Sequence, residues 1–342
     1  MSSNSNQLSY EEFYAPFHGH EPEHLQRITD SFRSQSRPII FLAGDSSLDN
    51  KYWFKDAAGA ENGYENLLTP PKAKRDIAYW MNKIATERKS TYVCVNTSVE
   101  ESTVGSRACM RLNSQDRVIR NNIHPNDVLI VSVGGNDIAL APNACTVLNM
   151  LTLIKCVGKS AVDSSCAIAL PCEECCCGCG FSCANACFGC PPQIGYFVHL
   201  FKTRIEAYIK NLTAIHRPKK VLVCMIYYPD ETADGSWADA TLAALGYDLN
   251  PWKLQLVIRR IFELATQQIR VPGSEVVPVP LFVALDGTNT KDYVQRVEPS
   301  GSGGQKMAQL LFDALEEGGA ASIAEAYSKH KEGVASIGLI DR

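Results

Sequence analysis

The sequence predicts an α/β protein whose core is a doubly wound, five-stranded parallel sheet with helices on both faces. Three observations carry this expectation. Apolar runs of strand length recur along the chain, amphipathic segments of helix length separate them, and polar turns rich in Gly, Ser and Asn follow two of the runs. Unbroken apolar runs of roughly 4–8 residues mark strands buried on both faces, as parallel sheets require.

The first run, at 38–43, holds Ile39, Ile40, Phe41 and Leu42. After an aromatic and glycine-containing loop, the spacing predicts an amphipathic helix near 72–87. Further strands are expected at 91–95, 127–133 and 220–229, and a fifth at 275–282. Pro278 and Pro280 place the fifth at a sheet edge, because proline donates no ladder hydrogen bond. Helices are expected near 193–215, 251–268 and 302–317. Strand and helix alternating in this way is the pattern of a parallel sheet.

The carboxyl ends of the first and third strands carry the chemistry. Gly44-Asp45-Ser46-Ser47-Leu48-Asp49-Asn50 follows the first run, so Ser46 sits where the strand turns into a helix, a position suited to a nucleophile. Gly134-Gly135-Asn136-Asp137 follows the third. Between them, the polar loop 98–107 offers the backbone N–H of Gly105. A serine with a glycine N–H and an asparagine amide makes a nucleophile with two oxyanion donors. As plainer roles, Ser46 would cap a helix and Asn136 would hold its turn, and Asp49 and Asn50 are expected to fix the turn around Ser46.

In order and spacing these blocks resemble the GDSL, or SGNH, hydrolase family, whose four signature residues are Ser, Gly, Asn and His. The resemblance implies a flavodoxin-like sheet, Ser46 as nucleophile, Gly105 and Asn136 as oxyanion donors, and an ester substrate, lipids included. The fourth block departs from the family's Asp-x-x-His: Gln295 stands at the Asp position and Glu298 at the His position. A serine hydroxyl is a weak nucleophile until a base accepts its proton. Glu298 is the candidate base, with burial and the nearby Asp286 and Asp292 raising its pKa. The histidines are poorly placed: His124 and His216 precede strands at the opposite edge, His199 lies in an apolar stretch, and His18, His20 and His24 reach the site only through an ordered N-terminal arm.

The 342 residues are accounted for by one SGNH-hydrolase-like domain at 37–317, an N-terminal arm at 1–36 and a C-terminal tail at 318–342. With 33 basic and 37 acidic residues the net charge is −4, which offers no basic face to nucleic acid. The first residues lack the basic and apolar regions of a secretory signal, so an intracellular, cytoplasmic protein is expected. Eleven of the 14 cysteines fall between positions 145 and 190, in a Cys-rich insertion at 145–192. Four accounts fit it. Cys172, Cys175, Cys187 and Cys190 have a spacing compatible with a structural zinc, although the chemistry itself requires no cofactor. Disulfides would need an oxidising compartment. S-acylation would give peripheral membrane contact, and simple packing would use the thiols as small hydrophobes. The insertion is expected to open beside the site as a lid or acyl-binding wall. Three function classes follow: a serine esterase, lipase or acyltransferase, a catalytically degenerate pseudoenzyme that acts as a binding module, and a structural subunit of a larger assembly.

Overall fold

The computed structural model describes residues 7–107, 111–168, 170 and 180–337. Five parallel strands form the sheet: β1 (Ile39–Gly44), β2 (Val93–Asn96), β3 (Val128–Ser132), β4 (Lys220–Met225) and β5 (Glu275–Pro280). Their spatial order is β5-β4-β3-β1-β2, the flavodoxin-like doubly wound order. β5 is an edge strand, as its prolines require. The chain reverses direction across the sheet between β1 and β3, and in such sheets ligands bind at the carboxyl end of that switch point. The turns holding Ser46 and Asn136 leave the sheet there.

The helices are α1 (Tyr10–Tyr14), α2 (Pro22–Ser34), α3 (Ile77–Glu87), α4 (Ser114–Asn122), α5 (Gly135–Ala139), α6 (Ala144–Lys155) and α7 (Lys159–Asp163). They continue with α8 (Gly180–Asn185), α9 (Gln193–Val198), α10 (Ile205–Leu212), α11 (Asp239–Ala244), α12 (Pro251–Leu264), α13 (Gly301–Leu315) and α14 (Gly319–Ile337). A π-helical stretch, His199–Arg204, joins α9 to α10. α3 starts at Asp76, whose side chain accepts the Tyr79 N–H, and buries Ile77, Met81 and Ile84. These side chains pack with Met307 and Leu311 of α13 on one face of the sheet. The other face is covered by α2, α4, the α9–α10 helix and α12.

The segment expected as an N-terminal arm carries α2, whose Leu25, Ile28 and Phe32 are buried in the core. The segment expected as a tail carries α14, whose Ile323 and Tyr327 are buried. Cys145, at the start of α6, is disulfide-bonded to Cys183 of α8. Of the proposed zinc ligands, Cys172 and Cys175 lie outside the described residues, while Cys187 and Cys190 are free. Among the described residues no group of His, Cys, Asp or Glu is placed to hold a metal ion. No helix of the described residues is long and apolar enough to cross a membrane.

Candidate active site

Ser46 stands on a tight turn rather than at the head of a helix. The N–H groups of Leu48 and Asp49 both return to the Asp45 carbonyl, at 3.0 and 2.9 Å, and only a 3-10 turn at Lys51–Trp53 follows. β1 and β3 approach closely at this point, and a Cβ on Gly44 would lie 2.3 Å from the Ser132 carbonyl oxygen. The neighbouring hydroxyl is not a rival nucleophile, because Ser47 Oγ is bonded to Ser132 Oγ at 2.7 Å. The Asn50 amide donates to the Pro299 carbonyl at 3.1 Å, and its oxygen accepts the Ile77 N–H at 3.3 Å. That bond ties the Ser46 turn to the strand bearing Glu298.

Glu298 lies on a short antiparallel hairpin that pairs Tyr293–Val294 with Glu298–Pro299. Its turn residues, Gln295 and Arg296, both adopt left-handed backbone, at φ 52° and 63°. The cost of that conformation is met by anchoring. Arg296 is wholly buried and binds Asp239 and Asp248, each at 2.9 Å, and the Asp230 carbonyl at 3.1 Å. Gln295 is turned away from Glu298, its side-chain oxygen accepting the Trp237 N–H at 3.2 Å.

Burial, with the charge of Asp45 next in importance, pushes the Glu298 carboxyl up to about 8, while the Ser46 hydroxyl acts to lower it. Asp49 and Glu101 act in the same upward direction. The expected neighbours Asp286 and Asp292 do not serve this role. Thr288 holds Asp286, and Lys306 and Ser302 hold Asp292. Burial also raises Asp45 to about 6 and Glu100 to about 9, the latter helped by Glu298. One carboxyl oxygen on each of Asp45, Glu100 and Glu298 is buried without a hydrogen-bond partner. Asp49 differs: it pairs with the buried Lys51 at 2.7 Å and accepts the N–H groups of Gly19 and Glu100, each at 2.9 Å.

Asn136 lies in the first turn of α5, after Gly134 at φ 108°. A side chain at Gly134 would meet Phe201, whose ring comes within 2.8 Å of the Cβ position. The Asn136 amide donates one hydrogen to the Ser102 carbonyl at 3.1 Å, which leaves its second hydrogen for another acceptor. Gly105 is placed differently from the sequence expectation. Its N–H donates to the Asp137 carboxylate at 2.9 Å, beside that of Val104 at 2.7 Å. The carboxylate thus takes the donor assigned to an oxyanion, and Gly105 does not line the cavity. The left-handed residue of this loop is Glu101, at φ 60°.

Ser46, Asn136 and Glu298 meet at one cavity of about 100 Å³. Its remaining walls are strongly apolar, with Leu242 of α11 and Leu254, Val257, Ile258 and Ile261 of α12. From the Cys-rich stretch only Met150 reaches it among the described residues, so α11 and α12 supply the wall expected of the insertion.

No family model matches the chain, and no curated protein matches it either. Among solved structures it is similar to a carbohydrate esterase family 3 protein from Talaromyces cellulolyticus, at 14% identity and a TM-score of 0.36, covering 81% of this chain and 96% of that one. It is similar to an acetyl esterase variant with acetate ion, at 13% identity and a TM-score of 0.36, over 80% and 93% of the two chains. It is also similar to phospholipase A1 from Streptomyces albidoflavus NA297, at 11% identity and a TM-score of 0.34, over 80% and 97%.

No histidine lines the cavity among the described residues. His18 stands against the 98–107 loop, with Nδ1 3.2 Å from the Glu100 carbonyl and Nε2 3.9 Å from the Glu101 carboxylate. His20 is stacked on Phe13 and held neutral by burial. His124 and His216 lie edge to face with each other, His199 is buried, and His330 contacts Tyr228. The sequence reading missed the roles of Asp45, Glu100, Asp137 and Arg296. The signal was position, since Asp45, Asp137 and Arg296 each sit within a signature block and Glu100 lies in the polar loop between them.

Proposed function

We propose that the protein is a serine carboxylester hydrolase of the SGNH type that acts on esters with an aliphatic acyl chain. One observation carries this reading: Ser46 and the buried Glu298 share the polar end of one apolar cavity, with the Ser46 hydroxyl acting to favour the ionised carboxyl. The acyl chain lies along the α11 and α12 side chains and brings its carbonyl to Ser46. Ionised Glu298 accepts the hydroxyl proton as Ser46 Oγ bonds to the carbonyl carbon. The charge that develops on oxygen is held by the free Asn136 amide hydrogen and the Ser46 backbone N–H, while Asp137 keeps the Val104–Gly105 loop in place. Breakage of the ester C–O bond releases the alcohol, which takes the proton from Glu298, and water then cleaves the acyl-enzyme by the same steps. Because the base must be ionised, turnover rises with pH towards a plateau above about 8. The Cys145–Cys183 bridge favours an oxidising compartment over the cytoplasm expected from the first residues.

Gln295 faces away from Glu298, and Glu298 is mostly neutral at pH 7, which favours a second reading as a binding module for an aliphatic carboxyl compound. Fluorophosphonate labelling at pH 7 and 9, beside hydrolysis of p-nitrophenyl esters of increasing chain length, separates the two. The hydrolase labels, more strongly at pH 9, and loses both labelling and turnover in Ser46→Ala. A folded wild type silent at both pH values refutes the hydrolase.

A further inference from the structure

Away from the cavity, Cys166–Ala167 and Gly189–Cys190 form a two-residue antiparallel ladder in which Cys166 directly faces Cys190. The Ile168 N–H, bonded to the Phe188 carbonyl at 2.9 Å, extends the ladder by one rung. Both thiols are free and solvent-exposed. Directly opposed residues of an antiparallel pair lie about 4.5–5.5 Å apart at Cα and project to the same side. A disulfide asks for roughly 4.4–6.8 Å between the same atoms. The ladder therefore meets this demand while the thiols are still reduced.

The ladder also has firm backing. A Cβ on Gly189 would come within 2.6 Å of the Gly195 nitrogen and 2.7 Å of Ile194, so this strand sits tightly on α9. Cys156 and Cys187 are free and exposed too, but neither stands opposite another cysteine in a described ladder. The Cys145–Cys183 bridge is a separate link in the same region.

We propose that Cys166 and Cys190 form a redox modification site, a dithiol that closes to a second disulfide by exchange with a small-molecule disulfide such as oxidised glutathione. The thiolate of one cysteine attacks the glutathione disulfide, forming a mixed disulfide and releasing one glutathione. The facing thiolate then attacks the protein sulfur and releases the second. Two electrons pass from the protein dithiol to the glutathione disulfide, and the two thiol protons end on the two released glutathiones. The bridge ties the segment leaving α7 to the segment that starts α9. α9 packs on α6, which carries Met150 into the cavity wall, so closure fixes the base of the Cys-rich stretch relative to that wall. The proposal is independent of the hydrolase reading.

The test equilibrates the full-length protein in glutathione buffers of rising oxidised fraction, quenches with N-ethylmaleimide, and maps the unreduced digest by mass spectrometry. The expected result is a Cys166–Cys190 linked peptide that replaces the two alkylated ones, while Cys156 stays alkylated. In Cys190→Ser, which lacks the resolving thiol, glutathione is expected to remain on Cys166. Alkylation of both wild-type thiols across the whole series, or a link from either to another cysteine, overturns the proposal. So does protection of both thiols that is lifted by a chelator, since that assigns them to a metal centre.

Discussion

Replacing Glu298 by Gln separates the electrostatic role of this carboxyl from its place in the fold. The side chain is 4% exposed, and burial raises it to about 8 from an ordinary glutamate value. A gap of that size between folded and unfolded chains corresponds to on the order of 5 kcal/mol. This is a ceiling, because Asp45 and Glu100 share the same desolvated space. The folded chain keeps a proton that the unfolded chain releases at lower pH. Wild-type stability is therefore fully present below the unfolded glutamate value and falls as pH rises towards about 8. Glutamine mimics the neutral acid and has nothing to release. Glu298→Gln is expected to match the wild type in urea unfolding at pH 5 and to exceed it by a few kcal/mol at pH 9, while ester hydrolysis drops by about 10²–10⁴-fold. Unfolding curves of the two proteins that stay parallel from pH 5 to 9 would refute the buried-carboxyl argument. Wild-type turnover in the variant would refute the assignment of the base.

Asp45→Asn removes the leading charge acting on Glu298 and is expected to shift the rising, acid-side limb of the pH profile of kcat/KM to lower pH. Arg296→Met leaves Asp239 and Asp248 without their cation and the Asp230 carbonyl without its donor. It is expected to cost about 2–4 kcal/mol in urea unfolding and to weaken long-chain ester binding, because Asp239 begins α11. Leu242→Trp fills the cavity from α11, so kcat/KM for a dodecanoate ester should fall by about 10-fold or more while that for an acetate ester is retained.

The inner strands were legible because each is buried on both faces, which forces an unbroken apolar run; Ile39 to Leu42 and Val128 to Val131 show this directly. The gathering of Ser46, Asn136 and Glu298 at one cavity was legible because the chain has to leave the sheet at its carboxyl edge, and each lies in a short polar block there or beside the helix that follows. Gly105 was misread because a glycine N–H in a polar loop looks free until the carboxylate of Asp137, from another element, is brought to it. The cavity wall was illegible for a related reason. Leu242 and Ile258 are ordinary helix-face residues, and only the packing of α11 and α12 against the turn after β4 makes them a lining. Nor does sequence give the protonation of Asp45, Glu100 and Glu298, which depends on how little water reaches them.

The Asn50 bond to the Pro299 carbonyl spans 249 positions of the chain. Contacts between such distant segments are among the last to repay the entropy of closing the intervening loop. Ser46 and Glu298, tied together by this bond, therefore become neighbours only when β1 and the hairpin at 293–299 have both formed. A chain whose 293–299 hairpin has not yet formed holds Ser46 without its carboxyl neighbour. Recovery of turnover after dilution from denaturant would then act as a clock for the final step of assembly.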